Sequence, residues 1–130
     1  MKFQRGRSSE PAELGTAVCA TVGDVLIDNI LNDEGVRVSG TMFRPGSHTF
    51  WHSHDDGQIL IIGAGRGMVA TRGGDVHEVT AGDYVYAPPG EEHWHGAAPD
   101  CFVSYTSISL GTTRIADELE REDYSTQWST

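Results

Sequence analysis

The sequence predicts an all-β protein folded as one domain. Three observations carry this. Its 130 residues make a single domain with room for a real hydrophobic core. Glycine is abundant, with 16 along the chain, and turn clusters recur at short intervals. The apolar runs between those turns are short and rich in Val, Ile, Tyr and Phe, as strands are.

In order, residues 1–16 carry Ser, Gly, Pro and charge and read as a loosely held arm, with Phe3 able to anchor on a neighbouring subunit. Residues 17–130 are the folded domain, ending in an acidic segment. Val18–Val22 and Val25–Leu31 are expected strands, broken at Gly23-Asp24. Asn32-Asp33-Glu34-Gly35 is a turn cluster, Val36–Phe43 a strand, and Pro45-Gly46 a tight turn. Gly63–Gly67 is expected to be a flexible turn with Arg66 exposed. Met68–Arg72 and Val76–Val79 then form a hairpin over Gly73-Gly74-Asp75, leaving His77 in solvent. Tyr84–Ala87 is a strand that Pro88-Pro89-Gly90 stops. Phe102–Leu110 is the last long strand, Arg114–Asp123 a short acidic helix, and Trp128 docks on the domain.

The chemistry concentrates in two blocks. The first is His52-Ser53-His54-Asp55-Asp56-Gly57-Gln58, followed at once by the apolar run Ile59–Ile62. Alternate side chains of a strand share a face, so His52, His54 and Gln58 point the same way if the strand is regular. Two imidazoles and an amide oxygen then face one interior volume and suit a divalent metal. Trp51 has the opposite parity and packs elsewhere. His48 has the right parity but sits beside the turn, and its role stays open. In the second block, His93 and His95 share a face and Trp94 takes the other.

With the spacings G-x5-H-x-H-x3-Q-x6-G from Gly46 and G-x5-P-x-G-x2-H-x3-A from Gly82, the chain resembles the cupin superfamily. The resemblance covers residues 20–110. It implies a jelly-roll-like β-barrel of two antiparallel sheets, with a metal held inside by His52, His54, Gln58 and His93. That family usually has Glu where this chain has Gln58, and Asn where it has Ala97. Three imidazoles and a neutral amide leave the metal's dipositive charge uncompensated. Bound water is then more acidic and an anionic oxygen ligand binds better. The donor set suits Mn or Fe first, with Zn, Ni or Co as alternatives.

The run Pro89-Gly90-Glu91-Glu92-His93-Trp94-His95-Gly96-Ala97-Ala98-Pro99 is also similar to the small manganese-dependent cupin hydroxynitrile lyases and their carboxymuconolactone decarboxylase-related kin. In those lyases the metal orients the substrate oxygen and a histidine of the last barrel strand is the base. Tyr105 stands at that position here, where it could donate to an oxyanion. His95 is then the best remaining group for proton transfer. Ser39, Thr41, Met42 and Phe50 are expected in or beside the pocket.

The net charge of −10 argues against nucleic acid and anionic membrane surfaces as partners. No apolar run is long enough to span a bilayer, and no apolar segment follows the basic N-terminus, so a cytoplasmic location is expected. Cys19 and Cys101 form no motif and read as two buried free thiols. The resemblance implies a homodimer or homotetramer acting on a small-molecule substrate. The leading function is a metal-dependent lyase. The alternatives are a dioxygenase using Fe(II) or Mn(II), a non-catalytic ligand-binding or sensor barrel, and an isomerase or cyclase.

Overall fold

The computed structural model describes residues 1–6, 13–14 and 20–128, the pair 13–14 by its backbone alone. The strands are β1 Glu13–Leu14, β2 Thr21–Val22, β3 Val25–Asp33, β4 Val36–Phe43, β5 His48–Thr49, β6 His52–His54, β7 Gln58–Thr71, β8 Val76–Thr80, β9 Tyr84–Ala87, β10 His93–Ala97, β11 Val103–Leu110 and β12 Thr113–Ile115. One helix, α1 Arg121–Gln127, follows. Every pairing among the described residues is antiparallel. One sheet runs β1-β3-β4-β11-β7-β9, and the other contains β2, β5, β10, β7 and β8, with β6 on β10 and β12 on β6. The fold is all-β and barrel-like, with a short C-terminal helix.

Strand β7 belongs to both sheets. Its first half pairs with β9 and β11, and from Arg66 onward it pairs with β8 and β10. Gly63–Gly67, expected to be a turn, is the stretch in which the strand changes sheet. Backbones pass too closely there for side chains. A Cβ on Gly65, which has φ +79°, would collide with the Phe102 carbonyl, and one on Gly67 with the Gly96 carbonyl. The glycines therefore let a continuous strand turn a barrel corner. Arg66 is half-buried and ion-paired with Glu78 and Asp100, with its guanidinium 5.3 Å from the Trp128 ring centroid.

Between the sheets lies one core, in which Val25, Phe43, Leu60 and Val103 are fully buried. Each such side chain contributes about 1.5–3 kcal/mol by leaving water. A second cluster, Met68, Ala70, Trp94, Leu119 and Tyr124, covers the outer face of β7 and β10. Trp51 and Trp128 pack against it, as their parity and position suggested. Tyr124 fastens α1 there by donating to the Ala97 carbonyl at 2.7 Å.

The C-terminal expectation needs correcting. Arg114 and Ile115 are not helical: they pair in β12 with Ser53 and His52, and Arg114 forks onto Asp55 at 2.7 and 2.9 Å. The β-branched Thr112, Thr113 and Ile115 favour that extended form, and the helix starts at Arg121 instead. Cys101 is free but only half-buried, while Cys19 lies outside the described residues, as does part of the expected strand Val18–Val22. Glu13-Leu14, assigned to the arm, pairs as β1 with Leu26 and Ile27 of β3. Among the described residues, no helix is long and apolar enough to cross a membrane.

Candidate metal centre

Strands β6 and β10 lie side by side, with His52 directly across from His93. His54 lies two residues along β6 on the same face, and His95 two along β10. All four imidazoles are buried and converge: ring centroids are 4.4 Å apart for His52–His93, 5.1 Å for His52–His54 and 5.0 Å for His52–His95. The ligand nitrogens of His52, His93 and His95 lie within 4.8 Å of one another, close enough to share one cation. His54 borders the same spot, with its ring 5.6 Å from that of His93. The second motif is tied to the first by its turn, where Gly90 N–H donates to the His54 carbonyl at 3.0 Å.

His48 does not join them. Three steps along β10, from Gly96 to His93, correspond to four along the facing chain, from His48 to His52. The extra residue is a bulge at Phe50-Trp51, and a one-residue slip sends side chains to the opposite face. His48 therefore turns outward, stacked on Tyr124 at 4.5 Å. Thr49 takes the inward position, and its Oγ1 accepts from the His95 amide at 3.1 Å. Of the expected pocket residues, Ser39 and Thr41 border the interior cavity, whereas Met42 lies on the outer face of its sheet.

The partner of each Nδ1 decides which nitrogen faces inward. His52 Nδ1–H donates to the Phe50 carbonyl at 2.9 Å and His93 Nδ1–H to the Glu91 carbonyl at 3.0 Å. A carbonyl only accepts, so in these rings Nε2 carries the lone pair. His54 Nδ1 is 2.9 Å from Thr113 Oγ1, and His95 Nδ1 is hydrogen-bonded to the Tyr105 hydroxyl. Hydroxyls donate or accept, so these two rings can exist as either tautomer. Nε2 of both His54 and His95 is buried with no hydrogen-bond partner. In the sequence, parity points to His95 and the lyase resemblance to Tyr105, each separately. That they bond across the barrel, from one sheet to the other, needed the closed fold. Thr113 carried no signal, since it lies beyond the last long strand.

Burial is the first cause holding all four rings neutral. It pushes His52 down to about 3 and His54 to about 4, in both cases helped by the charge repulsion of His93. His93 is lowered, and His95 lies well below 6.5. Gln58 completes the group. Its amide Nε2 donates to Ser109 Oγ at 3.0 Å, and its Oε1 is 3.1 Å from His93 Nε2. With the His93 proton on Nδ1, that last contact sets lone pair against lone pair, and a cation between the two atoms removes the conflict. Ligands about 2.1 Å from a metal and at right angles stand about 3.0 Å apart, so the spacing fits.

The chain is also similar to known proteins in sequence and fold. A 73-residue stretch is 48% identical to an (R)-mandelonitrile lyase from Granulicella tundricola, and the match covers 56% of this chain and 56% of that protein. The chain thus spans little more than half the length of that relative. The crystal structure of a cupin-like protein from Thermotoga maritima superposes with a TM-score of 0.79 at 30% identity, covering 97% of this chain and 95% of that one. A polyketide cyclase from Streptomyces resistomycificus shares the fold, with a TM-score of 0.74 at 17% identity over 98% of this chain and 94% of that one. The family model for the cupin domain matches residues 41–105, which run from Thr41 on β4 to Tyr105 on β11 and enclose every histidine of the centre. On that match the chain belongs to the cupin family.

Proposed function

We propose that this chain is a metal-dependent lyase that acts on a small hydroxyl-bearing substrate. His52, His54, Gln58 and His93 hold one divalent cation, Mn or Fe before Zn, Ni or Co. The observation that carries this is the pair of carbonyl-locked tautomers, His52 and His93, whose ligand nitrogens lie within 4.8 Å of one another, with Gln58 Oε1 3.1 Å from His93 Nε2. When bound, the cation supplies positive charge that acidifies a substrate hydroxyl and stabilises the carbonyl oxygen it becomes.

His95 is the base. Its Nε2 is buried and without a partner, and burial keeps it neutral. With Nδ1–H donated to the Tyr105 oxygen, Nε2 offers a lone pair to the substrate hydroxyl. For a cyanohydrin, the hydroxyl proton passes to Nε2 and the O–H electrons form the carbonyl. The bond to the nitrile carbon breaks, and cyanide leaves with that bond's electrons and takes the proton from His95. The likeness to an (R)-mandelonitrile lyase supports this class, and mandelonitrile is the compound to test.

The assay follows benzaldehyde released from mandelonitrile by protein loaded with manganese. His95→Gln is expected to retain its metal and lose about 10²-fold or more in kcat. Fully loaded wild-type protein that releases benzaldehyde no faster than buffer rejects cleavage of this cyanohydrin.

A further inference from the structure

Strand β4 sends Arg37, Ser39, Thr41 and Phe43 to one face, and the last three are buried inside the barrel. Arg37 continues that row to the rim and is half-buried. It stands directly across from Ser109 of β11, and Ser109 directly across from Gln58 of β7. One rung therefore leads from the guanidinium-bearing residue to the metal centre, over two inter-strand gaps of about 4.8 Å each. Arg37 borders the same cavity as His52, His54 and His95, and its charge opposes protonation of His52 and His54.

The other arginines of the barrel wall are paired: Arg66 with Glu78, Arg72 with Glu92 and Arg114 with Asp55. Among the described residues, no carboxylate lies within ion-pair distance of Arg37. Nor does any Asp or Glu border the cavity among those residues, in a chain that has 19 of them. The position where a carboxylate would face the cation holds the neutral Gln58. An acidic protein thus encloses a cavity that has a fixed cation at its rim and no anion in its wall. A half-buried guanidinium without a counter-charge has lost part of its hydration with no compensation, and a bound anion supplies it.

We propose that Arg37 determines specificity by pairing with a carboxylate of the substrate, so that the substrate is a short carboxylic acid bearing a hydroxyl or carbonyl oxygen. The oxygen end of this assignment rests on the metal-centre reading, and the carboxylate end rests on Arg37. Mandelonitrile is then a stand-in that lacks the carboxylate.

The test titrates glycolate, 3-hydroxypropanoate and 4-hydroxybutanoate, and the amide of each, into wild type, Arg37→Gln and Arg37→Lys by calorimetry. Each protein is used both loaded with manganese and metal-free, with metal content measured by elemental analysis. Wild type is expected to bind at least one acid about 10- to 100-fold more tightly than its amide, the worth of one charge-assisted contact. Arg37→Gln is expected to lose that preference at unchanged metal content, and Arg37→Lys to keep part of it. Equal acid affinities in wild type and Arg37→Gln, or no acid binding by wild type in either form, overturn the proposal. Wild type that takes up no manganese, yet prefers acids through Arg37 in the metal-free form, rejects the metal centre and upholds the role of Arg37.

Discussion

Gln58 and His93 face each other acceptor to acceptor, with Oε1 and Nε2 3.1 Å apart, because the Glu91 carbonyl has already claimed the imidazole proton. Without a cation, the amide gains by turning over. Its NH₂ then donates to His93 Nε2, and the Ser109 hydroxyl donates to the amide oxygen. Metal loading is expected to shift the Gln58 side-chain amide resonances in a nitrogen–proton NMR spectrum as the NH₂ moves from His93 to Ser109. Resonances unchanged by loading exclude the turnover.

Replacing Gln58 by Glu puts a formal negative charge against the cation. Metal affinity, measured by competition with a chelator, is expected to rise about tenfold or more, the scale of one added charge-assisted contact. Carboxylate binding should fall at the same time, since the net positive charge of the centre is lower.

Tyr105→Phe keeps the ring that stacks on Phe43 at 5.5 Å and removes the hydroxyl bonded to His95. A buried Nδ1 then loses its partner, which costs about 1–3 kcal/mol of stability. Metal content should be unchanged, because His52 and His93 take their tautomers from backbone carbonyls. Normal turnover in this variant contradicts a tautomer-setting role for Tyr105.

The lowered histidine pKa values predict a pH profile for the metal-free protein. Burial holds His52 at about 3 and His54 at about 4 in the folded state, whereas both titrate near about 6.5 when unfolded. Between those values the unfolded chain binds protons that the folded chain refuses. Stability is therefore full above about pH 6.5 and falls as the pH drops through the window, by about 1.4 kcal/mol per pH unit for each histidine. Thermal melts should be flat above that pH and decline steadily below it. A melting temperature that holds constant down to about pH 4 contradicts neutral buried rings.

Gly65→Ala should prevent folding or destabilise it severely, since the new methyl meets the Phe102 carbonyl and the residue sits at φ +79°. Gly63→Ala is the control: its nearest neighbour would be the Ser104 carbonyl oxygen at 3.6 Å, an ordinary contact. Denaturant unfolding compares the two. Equal stabilities would remove the corner from the account of the fold.

Strand parity made much of the centre legible before any coordinates. Alternation along His52-Ser53-His54 and His93-Trp94-His95 assigns those side chains to their faces, and the barrel confirms it. Parity fails where the ladder is irregular. The bulge at Phe50-Trp51 reverses His48, and nothing in the residue types announces it. The glycines of β7 read as a turn because local chemistry cannot distinguish flexibility from close packing against a distant strand. Arg37 gives no signal in the sequence for a related reason. The missing counter-ion becomes evident only when the neighbouring strands are in place.

Because β7 is shared by both sheets, neither sheet can be completed alone. Gln58 opens that strand, and the partner of His93, Thr71, closes it. Residues far apart along the chain must meet before any ion finds its donors, so ligation comes late in folding. A chelator should then speed unfolding-limited exchange of the barrel while leaving the refolding rate nearly unchanged, because ion capture follows a finished barrel and does not nucleate one.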